Sequence, residues 1–263
     1  MAGHIRVECD PQEPGVATVL LANPGKLNAI NLSMWRELAA ALRELSADAS
    51  LRCLIIRGDG NEAFAAGGDI EEFLTQRATP EQAMEYHEGA VAPALTALAD
   101  FPLPTVAMIG GACIGGGLEI ACCCDLRLAG ESARFGAPIN RLGFSMYPGE
   151  MIRVLAVASP AVAAEILLEG RILSAAEALT KGLLTRVVGD AELAAETAAT
   201  ARRIADGAPL VARWHKAWMK RLADRKPLGP EEKAAAFAFL ATDDYREGLS
   251  AFFEKRRPDF RGR

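Results

Sequence analysis

The chain has 263 residues, 51% of them hydrophobic and 24% charged, enough for one large folded domain or a domain with an appendage. A net charge of −5 argues against nucleic acid as a partner, because phosphate binding needs a basic face. No run approaches about 18 uninterrupted apolar residues, and residues 1–10 lack the basic start and apolar centre of a secretory signal, so a cytoplasmic protein with no membrane partner is expected.

Val16–Ala22 (VATVLLA) is an apolar run that predicts a buried strand, broken by Asn23-Pro24-Gly25. Ser33 is the expected N-cap of a helix running to about Ser46, with Trp35, Leu38, Leu42 and Leu45 at helical spacing. Residues 51–57 (LRCLIIR) predict a second strand, and Gly58-Asp59-Gly60 a turn. Residues 64–69 (FAAGGD) lead into a helix near 70–74, and a polar helix is expected over 80–100. Thr105–Ile109 predicts another apolar strand, followed by a glycine run, a helix near 117–123 and a short strand at 126–129. Strands and helices alternate, so the expected class is α/β, and strands this apolar need cover on both faces.

The character changes near residue 191. Residues 191–205 form an alanine-rich helical pattern, and Val211, Trp214, Trp218 and Leu222 then share one helical face. Lys226-Pro227-Leu228-Gly229-Pro230 breaks the chain before two further helices at 231–241 and 243–256, stopped by Pro258. The expected division is a core over 1–195 and a C-terminal helical region over 196–263. Its aromatic stripe suits packing on its own core or on another subunit.

The chemistry concentrates in residues 110–125, GGACIGGGLEIACCCD, where five glycines precede one carboxylate, Glu119, in an otherwise apolar run that ends at Asp125. A carboxylate among Ile114, Leu118, Ile120, Ala121 and three cysteines is expected to be desolvated, which is costly unless something uses or satisfies it. The glycines let a ligand approach the backbone closely. Neither G-x-G-x-x-G nor a P-loop fits, since Gly116 stands where Lys-Ser/Thr should follow Gly115. Residues 143–147 (GFSMY) lack the last glycine of a nucleophile elbow. His4, His87 and His215 are scattered and read as surface or packing residues, which sets aside a Ser-His hydrolase or a histidine-ligated metal. The six cysteines form no C-x-x-C pair, and three adjacent ones suit small buried hydrophobes in a reducing compartment.

Five segments line up in order along nearly the whole chain: residues 26–30 (KLNAI), 63–70 (AFAAGGDI), 105–125 with the glycines and Glu119, 135–138 (FGAP), and 248–258 (GLSAFFEKRRP). This set resembles the crotonase superfamily of enoyl-CoA hydratases and isomerases. The resemblance implies a spiral of ββα units with a C-terminal helical region that builds homotrimers, often paired as hexamers. It also implies an acyl-CoA thioester substrate, with coenzyme A as part of that substrate and neither a separate cofactor nor a metal. Matched by motif, the backbone N–H groups of Gly68 and Gly116 would form an oxyanion hole, and Glu119 would be the water-activating glutamate. Lys26, Leu27 and Ala29, the backbone at Ala66, Gly67, Asp69 and Ile70, and Ile139 match CoA- or substrate-contacting positions. Phe252 and Lys255 lie in a C-terminal segment that often reaches a CoA site, sometimes of a neighbouring subunit.

One position departs from the family. Its second catalytic glutamate follows the proline of Phe-Gly-x-Pro, and here that residue is Ile139, with Asn140 beside it. Glu150 stands where a glycine is usual, as either a substitute carboxylate or a helix-end residue complementing the dipole. Hydration of a 2-enoyl-CoA with Glu119 as base is the leading expectation. Isomerisation, other acyl-CoA lyase or hydrolase chemistry through the same oxyanion hole, and acyl-CoA binding without turnover stay open, as does a purely structural protein whose glycines only pack.

Overall fold

The computed structural model describes residues 2–263. Its larger sheet holds six strands in the order β1 (His4–Cys9), β2 (Val16–Ala22), β3 (Cys53–Gly58), β5 (Thr105–Ile109), β7 (Leu126–Gly130) and β10 (Arg186–Val188). A smaller sheet holds β4 (Ala63–Ala65), β6 (Ala112–Ile114), β8 (Arg134–Gly136) and β9 (Leu173–Ser174). From β2 to β10 the large sheet is parallel, and β1 adds antiparallel at its edge. β3, β5 and β7 are each followed by a short strand of the second sheet and then by helix, so the chain winds as a spiral of ββα units.

Side-chain alternation explains the layers. Leu54 and Ile56 of β3 face the main core with Val19, Leu21, Ala107 and Ile109. The intervening Cys53 and Ile55 pack with Val106 and Leu128 against Leu193 and Ala201 of a C-terminal helix, α9 below. The parallel strands are therefore covered on both sides, as their apolar composition requires. The expected boundary at residue 195 falls inside this covering helix.

Twelve α-helices surround the sheets among the described residues. α1 (Leu32–Ser46) buries Met34, Trp35, Leu38, Leu42 and Leu45. Its N-cap is Asn31 rather than Ser33: the Asn31 side chain accepts the Met34 N–H at 2.8 Å, and Ser33 sits in the first turn donating to the same oxygen. The helix expected over 80–100 is α3 (Pro80–Tyr86), a π turn over His87–Val91 and α4 (Ala92–Ala99), after a short α2 (Phe73–Gln76). Pro93 has no N–H to give to the Gly89 carbonyl, and the Ala92 N–H reaches back to His87 instead. α5 (Gly116–Cys123), α6 (Pro148–Leu155), α7 (Pro160–Leu167) and α8 (Ala175–Thr180) complete the core. α9 (Leu193–Ala205), α10 (Pro209–Ala223), α11 (Pro230–Ala235) and α12 (Asp243–Glu254) form the C-terminal region, and the helix expected over 231–241 is α11 followed by a 3-10 turn.

β1, β4, β6, β8, β9 and β10 have no counterpart among the predicted strands. β1 is a half-exposed edge in which charged Arg6 and Glu8 alternate with Ile5 and Val7. The other five are two or three residues long, too short to carry a period of their own.

Candidate active site

Two glycine turns meet at the carboxyl ends of β4 and β6. The first is held by the segment after β2. Asn28 donates to the Ala63 carbonyl at 2.9 Å, Ala66 donates to Leu27 at 3.0 Å, Ile30 donates to Gly67 at 2.7 Å, and Asp69 donates to Ile30 at 2.8 Å. These bonds leave the Gly68 N–H without a backbone acceptor among the described residues. The second turn carries Gly115 at φ +48°, with its N–H given to Gly136 at 2.8 Å, and opens α5. Gly116 is the first residue of α5, so its N–H has no partner within the helix. The turns touch, since a Cβ on Gly115 would lie 3.6 Å from Gly67 Cα. Trp35 and Phe73 back them, each 3.0 Å from where a Cβ on Gly116 or Gly68 would stand. Two unspent amide donors thus border one cavity of about 230 Å³.

Glu119, one turn after Gly116 on α5, reaches the same cavity and is only 6% exposed. Its carboxyl has no hydrogen-bond partner among the described residues. Burial pushes its pKa well above the ordinary 4.5, the Glu150 charge adds to the rise, and the Arg77 charge opposes it. Glu150 enters from α6, equally buried, and its carboxylate is hydrogen-bonded to His87 Nδ1. His87 is supplied by the π turn, and its ring stacks on Tyr147 at 4.9 Å. The Tyr147 hydroxyl donates to Glu88. Arg77 closes the α2 side of the cavity, its guanidinium 4.1 Å from the Phe73 ring centre and 4.8 Å from that of Phe144.

Of the residues singled out from sequence, Ala66, Gly67, Gly68, Ile70, Gly116, Glu119, Ile139 and Glu150 border the cavity together. Lys26 stays outside its lining, with its ammonium 2.7 Å from Asp69 and 2.8 Å from Glu71. Asp69 is buried beneath that pair. Leu27 and Ala29 act through their carbonyls, which bind the Ala66 N–H and the Asn23 side-chain amide. Phe252, on α12, and Lys255, just beyond it, do not line the cavity of this chain, and Phe252 is 78% exposed.

The two readings of Glu150 meet in one residue, which occupies the first turn of α6 and also faces Glu119. Asn140 points away, donating to the Leu168 carbonyl at 3.0 Å. His87 is the packing residue of the three, stacked on Tyr147, but it also carries a hydrogen bond that the sequence reading did not foresee. It is buried and holds Glu150, which lies 63 positions further on, so no local pattern could pair them. Arg77 was not singled out, since its setting depends on Phe144 from a distant segment as well as on Phe73 four residues before it. Cys122 and Cys123 end α5 and Cys124 caps it, all buried, and burial pushes the Cys122 and Cys124 thiols to about 12, which keeps them protonated and unreactive.

The family model for enoyl-CoA hydratase/isomerase matches residues 11–263. The crotonyl-CoA hydratase of Syntrophomonas wolfei is 33% identical over 254 residues, covering 95% of this chain and 95% of that protein. A solved enoyl-CoA hydratase/carnithine racemase from Magnetospirillum magneticum matches with TM-score 0.95 and 49% identity, covering 98% of this chain and 96% of that one. A solved enoyl-CoA hydratase from Bacillus anthracis matches with TM-score 0.89 and 29% identity, over 99% of this chain and all (100%) of that one.

Proposed function

Since this chain belongs to the enoyl-CoA hydratase/isomerase family, we propose that it adds water across the C2–C3 double bond of a 2-enoyl-CoA thioester. The observation that carries this reading is the convergence of Glu119 and Glu150 on a space bordered by two unspent backbone N–H groups. In this mechanism the thioester oxygen lies between the Gly68 and Gly116 amides. Both donate to it as negative charge builds into an enolate oxyanion, and the N-terminal end of the α5 dipole favours that charge. Glu119 takes a proton from water as the water oxygen bonds to C3. The enolate then collapses as Glu150, in its acid form, gives a proton to C2, and the proton taken by Glu119 returns to Glu150 through solvent, leaving a 3-hydroxyacyl thioester with atoms and charge balanced.

Burial makes Glu119 a stronger base than a solvated carboxylate. With Ile139 in the family's second glutamate position, Glu150 takes over the proton-handling role from α6, and His87 fixes its orientation. The acyl thioester brings coenzyme A with it, and the reaction needs neither a separate cofactor nor a metal. The segments at 26–29 and 66–70 frame the CoA end of the site.

The same reading extends to assembly and location. Exposed Leu249, Phe252 and Phe253 on α12 support a homotrimer or a pair of trimers, which a light-scattering mass would identify. No helix of the described residues is long and apolar enough to cross a membrane, and five buried free cysteines suit a reducing cytoplasm.

The deciding experiment is a mass-spectrometric product screen over 2-enoyl-CoAs with wild type, Glu119→Gln and Glu150→Gln. A product 18 mass units heavier, formed by wild type and slowed about 10²–10⁴-fold in either variant, supports hydration with two working carboxyls. A product of unchanged mass with a shifted double bond would mean isomerisation. Tight binding with no product would leave an acyl-CoA binder.

A further inference from the structure

We propose that Arg77 forms a subsite for a carboxylate on the acyl chain, so that the enzyme prefers acyl-CoA thioesters whose chain ends in a carboxylate over those ending in a methyl group. The proposal rests on the acyl-CoA reading above and names its substrate class.

Arg77 follows α2 and lines the cavity that holds Glu119 and the two glycine amides. Its guanidinium lies over the rings of Phe73, Phe144 and Tyr86, at 4.1, 4.8 and 5.6 Å from their centres. Rings packed this close hold the guanidinium while its N–H donors stay without a protein acceptor, and that donor fork matches a carboxylate in geometry. No carboxylate lies within 4.0 Å of this cation, and none of its side-chain N–H groups has an acceptor among the described residues. The contrast with neighbouring cations is sharp: Lys26 holds both Asp69 and Glu71, and Arg36 lies 3.7 Å from Glu85.

The charged groups around Arg77 are already engaged or out of reach. Glu72 accepts the Leu32 N–H at 2.7 Å, and Glu150 is bonded to His87. Glu119 feels the Arg77 charge without touching it. Most of the remaining wall is apolar, with Val91, Ile139, Leu142 and Met146, and Ser145 beside them. A methyl-ended chain filling this space would strip water from the guanidinium edge and give nothing back. A carboxylate would accept two parallel N–H bonds from a donor fork that the rings have already oriented.

The test is calorimetric titration of wild type, Arg77→Met and Arg77→Lys. The probes are a saturated acyl-CoA ending in a carboxylate, its methyl-ended counterpart, and free CoA. Wild type should favour the carboxylate-ended thioester by about tenfold to a hundredfold. Arg77→Met should bring that ratio to about one, and Arg77→Lys should fall between, since an ammonium keeps the charge but loses the fork. Arg77→Lys also keeps the test decisive should Arg77→Met fail to fold. Equal affinities in wild type overturn the proposal. So does an equal loss of free-CoA binding in Arg77→Met, which would place the guanidinium on a CoA phosphate. Because binding is read with saturated thioesters, the subsite and the hydratase reading fail separately: a carboxylate preference without turnover of any 2-enoyl-CoA would leave the subsite standing alone.

Discussion

Two cavities of this molecule differ in size and in what faces them. The larger, about 650 Å³, lies among α10, α11 and α12 and is lined by the Val211, Trp214, Trp218 and Leu222 stripe with Phe239 and Leu249. The smaller, about 230 Å³, holds two unspent amides, two buried carboxyls, a histidine and an unpaired arginine. Volume does not choose the site. Chemistry follows the convergence of polar groups that the fold keeps out of water and aims at one space. The larger cavity has the apolar character of a packing or assembly face.

The contrast sets expectations for mutants. In the smaller cavity, changes should act first on rate; in the larger, first on stability. The largest effect belongs to Glu119→Gln, which keeps shape and loses the base. A fall in kcat of about 10³-fold with CoA affinity nearly unchanged is expected in steady-state kinetics. Normal turnover would remove Glu119 from the mechanism.

Gly117→Ala comes next. Its new Cβ would stand 2.5 Å from the Ala65 carbonyl oxygen, so α5 must shift and carry the Gly116 amide with it. A loss of about tenfold to a hundredfold in kcat is expected from that displacement. An unaltered kcat would mean that the amide need not be placed so tightly.

Trp218→Ala probes the other cavity. A loss of about 1–3 kcal/mol in urea unfolding, with kcat unchanged for the folded enzyme, is expected. A collapse of activity with intact stability would reverse the roles of the two cavities.

The smallest effect concerns pH. The raised pKa of Glu119 means that the folded chain holds this proton more tightly than the unfolded one. Its contribution to stability is full below the ordinary value of 4.5 and declines as pH rises toward the folded value. Melting temperatures of Glu119→Gln relative to wild type should therefore climb with pH through that window. The acid limb of kcat/KM should lie above 4.5, as Glu119 loses its proton only above its ordinary value. Parallel melting curves would mean a solvated Glu119.

Much of the fold and part of the site were legible in sequence, and the divide follows the range of the interactions. Val16–Ala22 and Thr105–Ile109 declare themselves because a two-sided buried strand must be apolar throughout. The stripe of α1 follows from its period, although the true cap, Asn31, lies two residues before the expected Ser33. Glu119 stood out because it is the one carboxylate in an apolar, glycine-rich run. The ordered motifs from Lys26 to Pro258 identified the family, since local backbone needs at each glycine turn leave local traces.

Tertiary structure decided the rest. Whether the Gly68 N–H is spent depends on residues 26–30 pairing with 66–69, a choice made about 40 positions away. Glu150 joins Glu119 because α6 packs on α5, and it meets His87 because Pro93 denies α4 a regular hydrogen bond and opens a π turn there. Arg77 acquires its setting only when Phe73 and Phe144 close over it. Sequence alone determined the long buried strands, the apolar face of α1 and the first carboxylate, because periodicity and desolvation are written into neighbouring residues. The second carboxylate, its histidine and the unpaired cation depend on which distant side chains share a dielectric and a hydrogen bond, and only the folded chain brings those together.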